Sequence, residues 1–233
     1  MTRAVAINIW SLLTRRGLDM GQRVDMSGTG LAEIALSYNI NERSLINNPT
    51  TPLLASRGAP MRRLRYSVAS SIDGFIAGPN GEYDWIPMDP DIDFGAMFGR
   101  YDTLLMGRRT FEASAAYPTD SMAMWKGMRV IVCSNTLTVA AGAELWSGDV
   151  TTRLTQLKQE PGKDIWLFGG GDLFRTLLEA GVVDDFEVAM VPVLLGGGIP
   201  LRAMPAALTH LTMTENRFYP KSGTVMMTYA ARK

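Results

Sequence analysis

From Leu64 onward the chain alternates between runs of period two and runs of helical spacing. Leu64 to Ser70 is a β-run, Ser71-Ile72-Asp73-Gly74 a turn, and Phe75-Ile76-Ala77 a short extension. The spacing predicts a helix over about Ile92 to Gly99, then a short apolar strand, Thr103 to Met106, ending at Gly107. Another helix begins over Thr110 to Ala116, and Arg129 to Cys133 is a strand. Thr151 to Gln159 is helical and stops at Pro161-Gly162. Ile165 to Phe168 has the continuous apolar character of a buried strand and runs into Gly169-Gly170-Gly171. Asp172 to Ala180 follows as a helix with Gly181 just past its end, and Phe186 to Val193 is a further strand. Leu208 to Phe218 and Thr224 to Ala231 are strand-like and joined by Tyr219-Pro220-Lys221-Ser222-Gly223, a hairpin. This order predicts an α/β fold: a mostly parallel central sheet, helices on both faces, and an antiparallel C-terminal hairpin.

Residues 1–60 read differently. A short helix over Ala4 to Leu13 gives way to Gly/Ser-rich polar sequence, then to Asn47-Asn48-Pro49-Thr50-Thr51-Pro52 and Gly58-Ala59-Pro60. Two segments are expected: 1–60, a poorly ordered extension or a start placed upstream of a natural one at Met61, and 61–233, the folded domain.

Composition narrows the chemistry. Lys plus Arg and Asp plus Glu each number 23, so no net basic footprint for nucleic acid stands out. The single cysteine, Cys133, and single histidine, His210, are too few for a zinc deaminase, a zinc protease or a Cys/His structural site. No metal is therefore expected. One cysteine forms no internal disulfide, which fits a reducing, cytoplasmic setting. Cys133 ends an apolar run and reads as a small buried hydrophobe, and His210 as structural or exposed. No apolar run approaches the ~20 residues of a membrane span.

Ligands of open α/β sheets sit beyond the carboxyl ends of the strands, and three such ends stand out. At Met106-Gly107-Arg108-Arg109-Thr110-Phe111-Glu112 a strand turns at a glycine into a helix preceded by two guanidiniums. That is either a phosphate site or a solvated surface pair. At Gly169-Gly170-Gly171 three glycines stand where one suffices for a turn, which favours close approach of a pyrophosphate. Asp172 reads as the cap of the next helix. Ser134-Asn135-Thr136 either holds a ribose or phosphate or forms a turn. The G-x-G-x-x-G and G-x-x-x-x-G-K-[ST] fingerprints are absent.

With those motifs in view, Leu64 to Lys233 resembles the family that unites dihydrofolate reductase with the reductase domain of the bifunctional riboflavin-biosynthesis deaminase/reductase. It is most similar to that branch's stand-alone bacterial members. The resemblance rests on S-x-D-G-x-I-A at Ser71 to Ala77, M-G-R-R-T-F-E at Met106 to Glu112, the glycines 169–171, and P-V-L-L-G-G-G-I-P-L at Pro192 to Leu201. It implies a three-layer dihydrofolate-reductase-like fold, NADPH as cofactor, and reduction of a pyrimidine- or pterin-like heterocycle such as 5-amino-6-(5-phosphoribosylamino)uracil. Dihydrofolate reductase activity, or NADPH binding without turnover, are the other readings.

Residue by residue, the resemblance implies that Arg108 and Arg109, following Gly107, contact the 2′-phosphate, with Thr110 near the pyrophosphate. Ser134 and Asn135 flank the adenosine ribose, Gly169, Gly170 and Gly171 cover the pyrophosphate with a cis Gly169–Gly170 peptide, and Ile76 and Ala77 lie along the nicotinamide. Asp91 falls where dihydrofolate reductases carry a pterin-binding carboxylate, with Asp93 beside it; both also suit a helix start. Asp73 either contacts ligand or forms an Asp-Gly turn. Trp85 either lines the substrate pocket or only packs. Relatives of this kind are often dimers, and Pro192 to Leu201 serves either an interface or the core. The deaminase half is missing, since 1–60 holds neither histidine nor cysteine.

Overall fold

The computed structural model describes residues 61–115 and 127–231, so the readings made for 1–60 lie outside it. Its strands are β1 (Leu64–Ser71), β2 (Phe75–Ala77), β3 (Tyr101–Gly107), β4 (Arg129–Cys133), β5 (Glu144–Trp146), β6 (Asp164–Gly169), β7 (Asp185–Val191), β8 (Ile199–Pro200), β9 (Leu211–Tyr219) and β10 (Thr224–Ala231). The helices are α1 (Phe94–Phe98), α2 (Arg108–Ala115), α3 (Val150–Leu157) and α4 (Gly171–Glu179). Eight strands form one sheet in the order β5-β4-β3-β6-β1-β7-β10-β9, and β2 pairs with β8 separately. From β5 to β7 all pairings are parallel; β10 and β9 are antiparallel. The predicted sheet and terminal hairpin are both present.

Alternation along the strands builds the three layers. On β6, Ile165 and Leu167 join the core with Leu154 and Leu157 of α3 and Phe174, Leu177 and Leu178 of α4. Trp166 and Phe168 point to the other face, against Phe98 of α1 and Phe111 of α2. Stacked rings tie each layer down: Tyr66 on Phe174 at 3.9 Å and Phe98 on Trp166 at 4.9 Å between centroids.

The two rims of the parallel sheet differ. Around the amino ends of β1, β3, β6 and β7 runs a network of ion pairs. Arg62 pairs with Asp102, Arg65 with Asp164 (2.6 Å) and Asp185 (2.7 Å), Arg100 with Glu187 (2.7 Å), and Lys158 with Asp184 (2.5 Å). The carboxyl ends of β3, β4 and β6, three neighbours in the sheet, open instead into a cleft.

Candidate functional site

The cleft has a volume of about 390 Å³ and is walled by the three predicted strand ends. Gly107, Arg108, Arg109 and Thr110 come from the β3–α2 junction, Ser134, Asn135 and Thr136 from beyond β4, and Gly170, Gly171 and Asp172 from the start of α4. Leu173, Thr176 and Ile199 complete the apolar side. Because α2 follows β3 without a connecting residue, Arg108 and Arg109 occupy its first turn, two residues before the expected helix start. Two guanidiniums there oppose the helix dipole, whose amino end favours anions.

Both arginines are held by carboxylates. Arg108 pairs with Glu112 at 2.9 Å along α2, and Arg109 reaches across the mouth to Asp172 at 3.0 Å. The expectation for Asp172 is thereby corrected. The cap of α4 is Gly170, with no side-chain hydrogen bond, and Asp172 stands one residue inside the helix and faces the cleft. Helix geometry began one glycine earlier than the residue types suggested.

The glycine triplet also has reasons internal to the fold. Gly169 has φ +141°, and a Cβ on Gly171 would lie 2.8 Å from the Pro200 carbonyl oxygen. Only Gly170 combines an ordinary φ with room for a Cβ, its nearest neighbour being the Thr110 hydroxyl at 3.4 Å. Three glycines therefore say less about a ligand than their number suggested. The Gly169–Gly170 peptide is cis. Beyond β4, Ser134 Oγ accepts from the Thr136 and Leu137 amides at 3.1 and 3.0 Å, and Asn135 Oδ1 from the Gly148 amide at 2.9 Å. These side chains build the turn and line the cleft at once. Cys133 lines it too, and burial pushes its thiol up to about 12, which leaves almost no thiolate near neutrality.

The model of the RibD C-terminal domain matches residues 62–221 of the chain. The chain belongs to the RibD C-terminal domain family. YyaP of Bacillus subtilis, an uncharacterised protein, is 35% identical over 178 residues, 72% of this chain and 94% of YyaP. A solved protein of Shewanella sp. PV-4, named for riboflavin biosynthesis, shares 27% identity at a TM-score of 0.62, covering 74% of this chain and all of that one. Dihydrofolate reductase from Enterococcus faecalis, complexed with NADP(H), is 18% identical at a TM-score of 0.53, over 73% of this chain and 97% of its own. The fold is dihydrofolate-reductase-like.

Within this RibD-type domain the candidates outside the cleft have other occupations. Asp73 accepts from the Ser71 hydroxyl at 2.5 Å and from the Leu195 and Gly196 amides at 3.2 and 2.7 Å. It clamps the β1–β2 turn to the segment after β7. Asp91 lies before α1, not on it, and pairs with Lys221 at 2.8 Å. Asp93 caps α1 by accepting from the Ala96 amide at 2.8 Å. None of the three carboxylates lines the cleft. Trp85 donates to the Glu82 carbonyl at 3.0 Å and packs beside Ile86, Ala189 and Val191. Ile76 and Ala77 are buried behind the wall, where Ala77 pairs with Ile199, which does line the cleft. Thr176 and Ile199 are cleft residues that the sequence reading did not assign. Ile199 was findable from the Gly-Gly-Gly-Ile-Pro run, whereas Thr176 shows only once α4 is placed against the opening.

Proposed function

We propose that the chain is an NADPH-dependent reductase of a pyrimidine-type heterocycle of the 5-amino-6-(5-phosphoribosylamino)uracil class. The observation that carries this is the pair Arg108 and Arg109 in the first turn of α2, facing a glycine-lined turn across one cleft. The residues present suit a phosphorylated dinucleotide. Guanidiniums grip phosphate oxygens bidentately, and the Gly170 and Gly171 backbone with the amino end of α4 favours a pyrophosphate. That a dihydrofolate reductase of the same fold is complexed with NADP(H) supports the reading. Arg108 and Arg109 take the 2′-phosphate, releasing Glu112 and Asp172, and exchange of an exposed ion pair costs little, about 0–1 kcal/mol. Asn135, through its amide NH₂, takes the ribose, and Thr110 the pyrophosphate. Bound NADPH supplies the hydride; the protein's part is to hold donor and acceptor carbons in line and to keep water out.

Dihydrofolate reductase activity is the weaker reading, because Asp91 and Asp93 are engaged elsewhere and, among the described residues, the one carboxylate lining the cleft is Asp172, which pairs with Arg109. Titration of the protein with NADPH and NADH, followed by cofactor fluorescence, tests the proposal. NADPH is expected to bind at least tenfold more tightly. A charge-assisted contact is worth about 1.5–3 kcal/mol, so Arg108→Ala should weaken NADPH roughly 10- to 100-fold and NADH little. Equal loss for both cofactors would remove the 2′-phosphate role. Oxidation of NADPH by the ribosylaminouracil, followed at 340 nm by absorbance (a wavelength of about that value reports the reduced nicotinamide), tests the substrate class.

A further inference from the structure

Two ion pairs hold the cleft arginines, and they are built differently. Arg108 and Glu112 lie four positions apart on α2, so their pair runs along one helix, and Glu112 does not line the cleft. Arg109 and Asp172 lie 63 positions apart on two helices, and their contact at 3.0 Å bridges the mouth between α2 and α4. Both side chains are exposed, 70% and 62%, so screened charge rather than packing holds them together.

Asp172 has a second cation in reach. Its other carboxylate oxygen lies 3.9 Å from Nη2 of Arg175, three positions on along α4. Arg175 is anchored in turn, its Nη1 donating to the Pro205 carbonyl at 2.9 Å. The carboxylate therefore stands between two guanidiniums, one across the mouth and one on its own helix. When it leaves Arg109 it keeps a cation beside it, at the amino end of α4 where the helix dipole favours negative charge.

We infer that Asp172 is an internal competitor for the cofactor: it occupies Arg109 until a 2′-phosphate displaces it, and returns as the phosphate leaves. This rests on the 2′-phosphate role of Arg109 proposed above. A carboxylate tethered beside the guanidinium takes up each donor as the phosphate releases it, so the ligand's ion pair breaks in steps and no bare cation is left behind. The consequence is faster departure of the phosphorylated cofactor, which a reductase must exchange at every turnover. NADH carries no phosphate on that ribose and exchanges nothing with Asp172. The acid thus lowers affinity for NADPH alone and sets how long it stays.

Stopped-flow fluorescence of the full chain with NADPH and with NADH tests this without any substrate. Asp172→Asn keeps the side chain's size and removes its charge. It is expected to slow NADPH dissociation and tighten NADPH roughly three- to fivefold, the scale of an exposed ion pair, and to leave NADH within about 1.5-fold. The gain should shrink as NaCl is raised and vanish in an Arg109→Ala background, where there is no guanidinium to compete for. Circular dichroism reports folding, and Asp172→Ser, which also suits a helix start, should reproduce the effect. NADPH dissociation unchanged or faster in both Asp172 variants overturns the inference. So does an equal gain for NADH, or a gain that survives Arg109→Ala. Each of those outcomes leaves the selective effect of Arg108→Ala standing, whereas loss of that selectivity would overturn the underlying cofactor reading as well.

Discussion

Asp73 draws its three hydrogen bonds from a hydroxyl two residues before it and from two amides more than a hundred residues after it. The Ser71 hydrogen bond, more than the amides, holds its carboxyl below the usual carboxylate range. A carboxylate whose pKa is lower folded than unfolded adds stability above its unfolded value. That stability is lost as pH falls through the folded one. Asp73→Asn should therefore lower the thermal midpoint at pH 7, by an amount that shrinks as pH falls below the usual carboxylate range; a drop that did not change with pH would mean that shape, not charge, holds the clamp. At this scale the arginines were legible because a guanidinium carries its charge and fork wherever it sits. The carboxylates were not, because what an aspartate does depends on its partner. Lys221 lies 130 positions from Asp91, and no spacing rule reaches that far.

Elements defined by their own periodicity were legible, and those defined by a neighbour were not. The buried runs of β1, β3, β4, β6 and β7 appear within a few residues of their predicted limits, as do α3 and α4. β5 and β8, of three and two residues, were missed because they are strands only by virtue of the β4 and β2 edges they meet. The glycine-rich turns show the same dependence. A Cβ on Gly198 would fall 2.1 Å from the Ala77 carbonyl oxygen, at φ +148°, and one on Gly171 2.8 Å from that of Pro200. Gly198→Ala and Gly171→Ala should each cost about 1–3 kcal/mol, Gly198→Ala the more, measured by urea unfolding. Gly170→Ala, whose Cβ has 3.4 Å to its nearest neighbour, should leave stability within ~0.5 kcal/mol yet weaken NADPH. If Gly170→Ala left NADPH affinity intact, the turn's role toward the cofactor would fall.

Across the whole domain, the parallel sheet keeps its ionic network at the amino rim and its cleft at the carboxyl rim, and the two should fail independently. Asp185 sits at the centre of the first, 4% exposed, accepting from Arg63 Nε and Nη2 at 2.6 Å each and paired with Arg65 Nη1 at 2.7 Å. Arg65 is itself largely buried, with its other contacts to Asp164 and Glu187. These carboxylate partners outweigh the burial that opposes its charge and raise its pKa. Removing one carboxylate strands part of that buried charge, and breaking such a pair costs about 3–5 kcal/mol, far more than the pair adds over an apolar replacement. Asp185→Ala should accordingly lower the thermal midpoint by roughly 6–20 °C in a domain of this size. Added salt should rescue little of the loss, because the network is shielded from solvent. NADPH affinity, measured well below the new midpoint, should not change, since no network residue lines the cleft among the described residues. Arg108→Ala should do the reverse, weakening NADPH with little effect on the midpoint. If Asp185→Ala weakened NADPH as strongly as it destabilised the fold, the two rims would be coupled through the strands that join them.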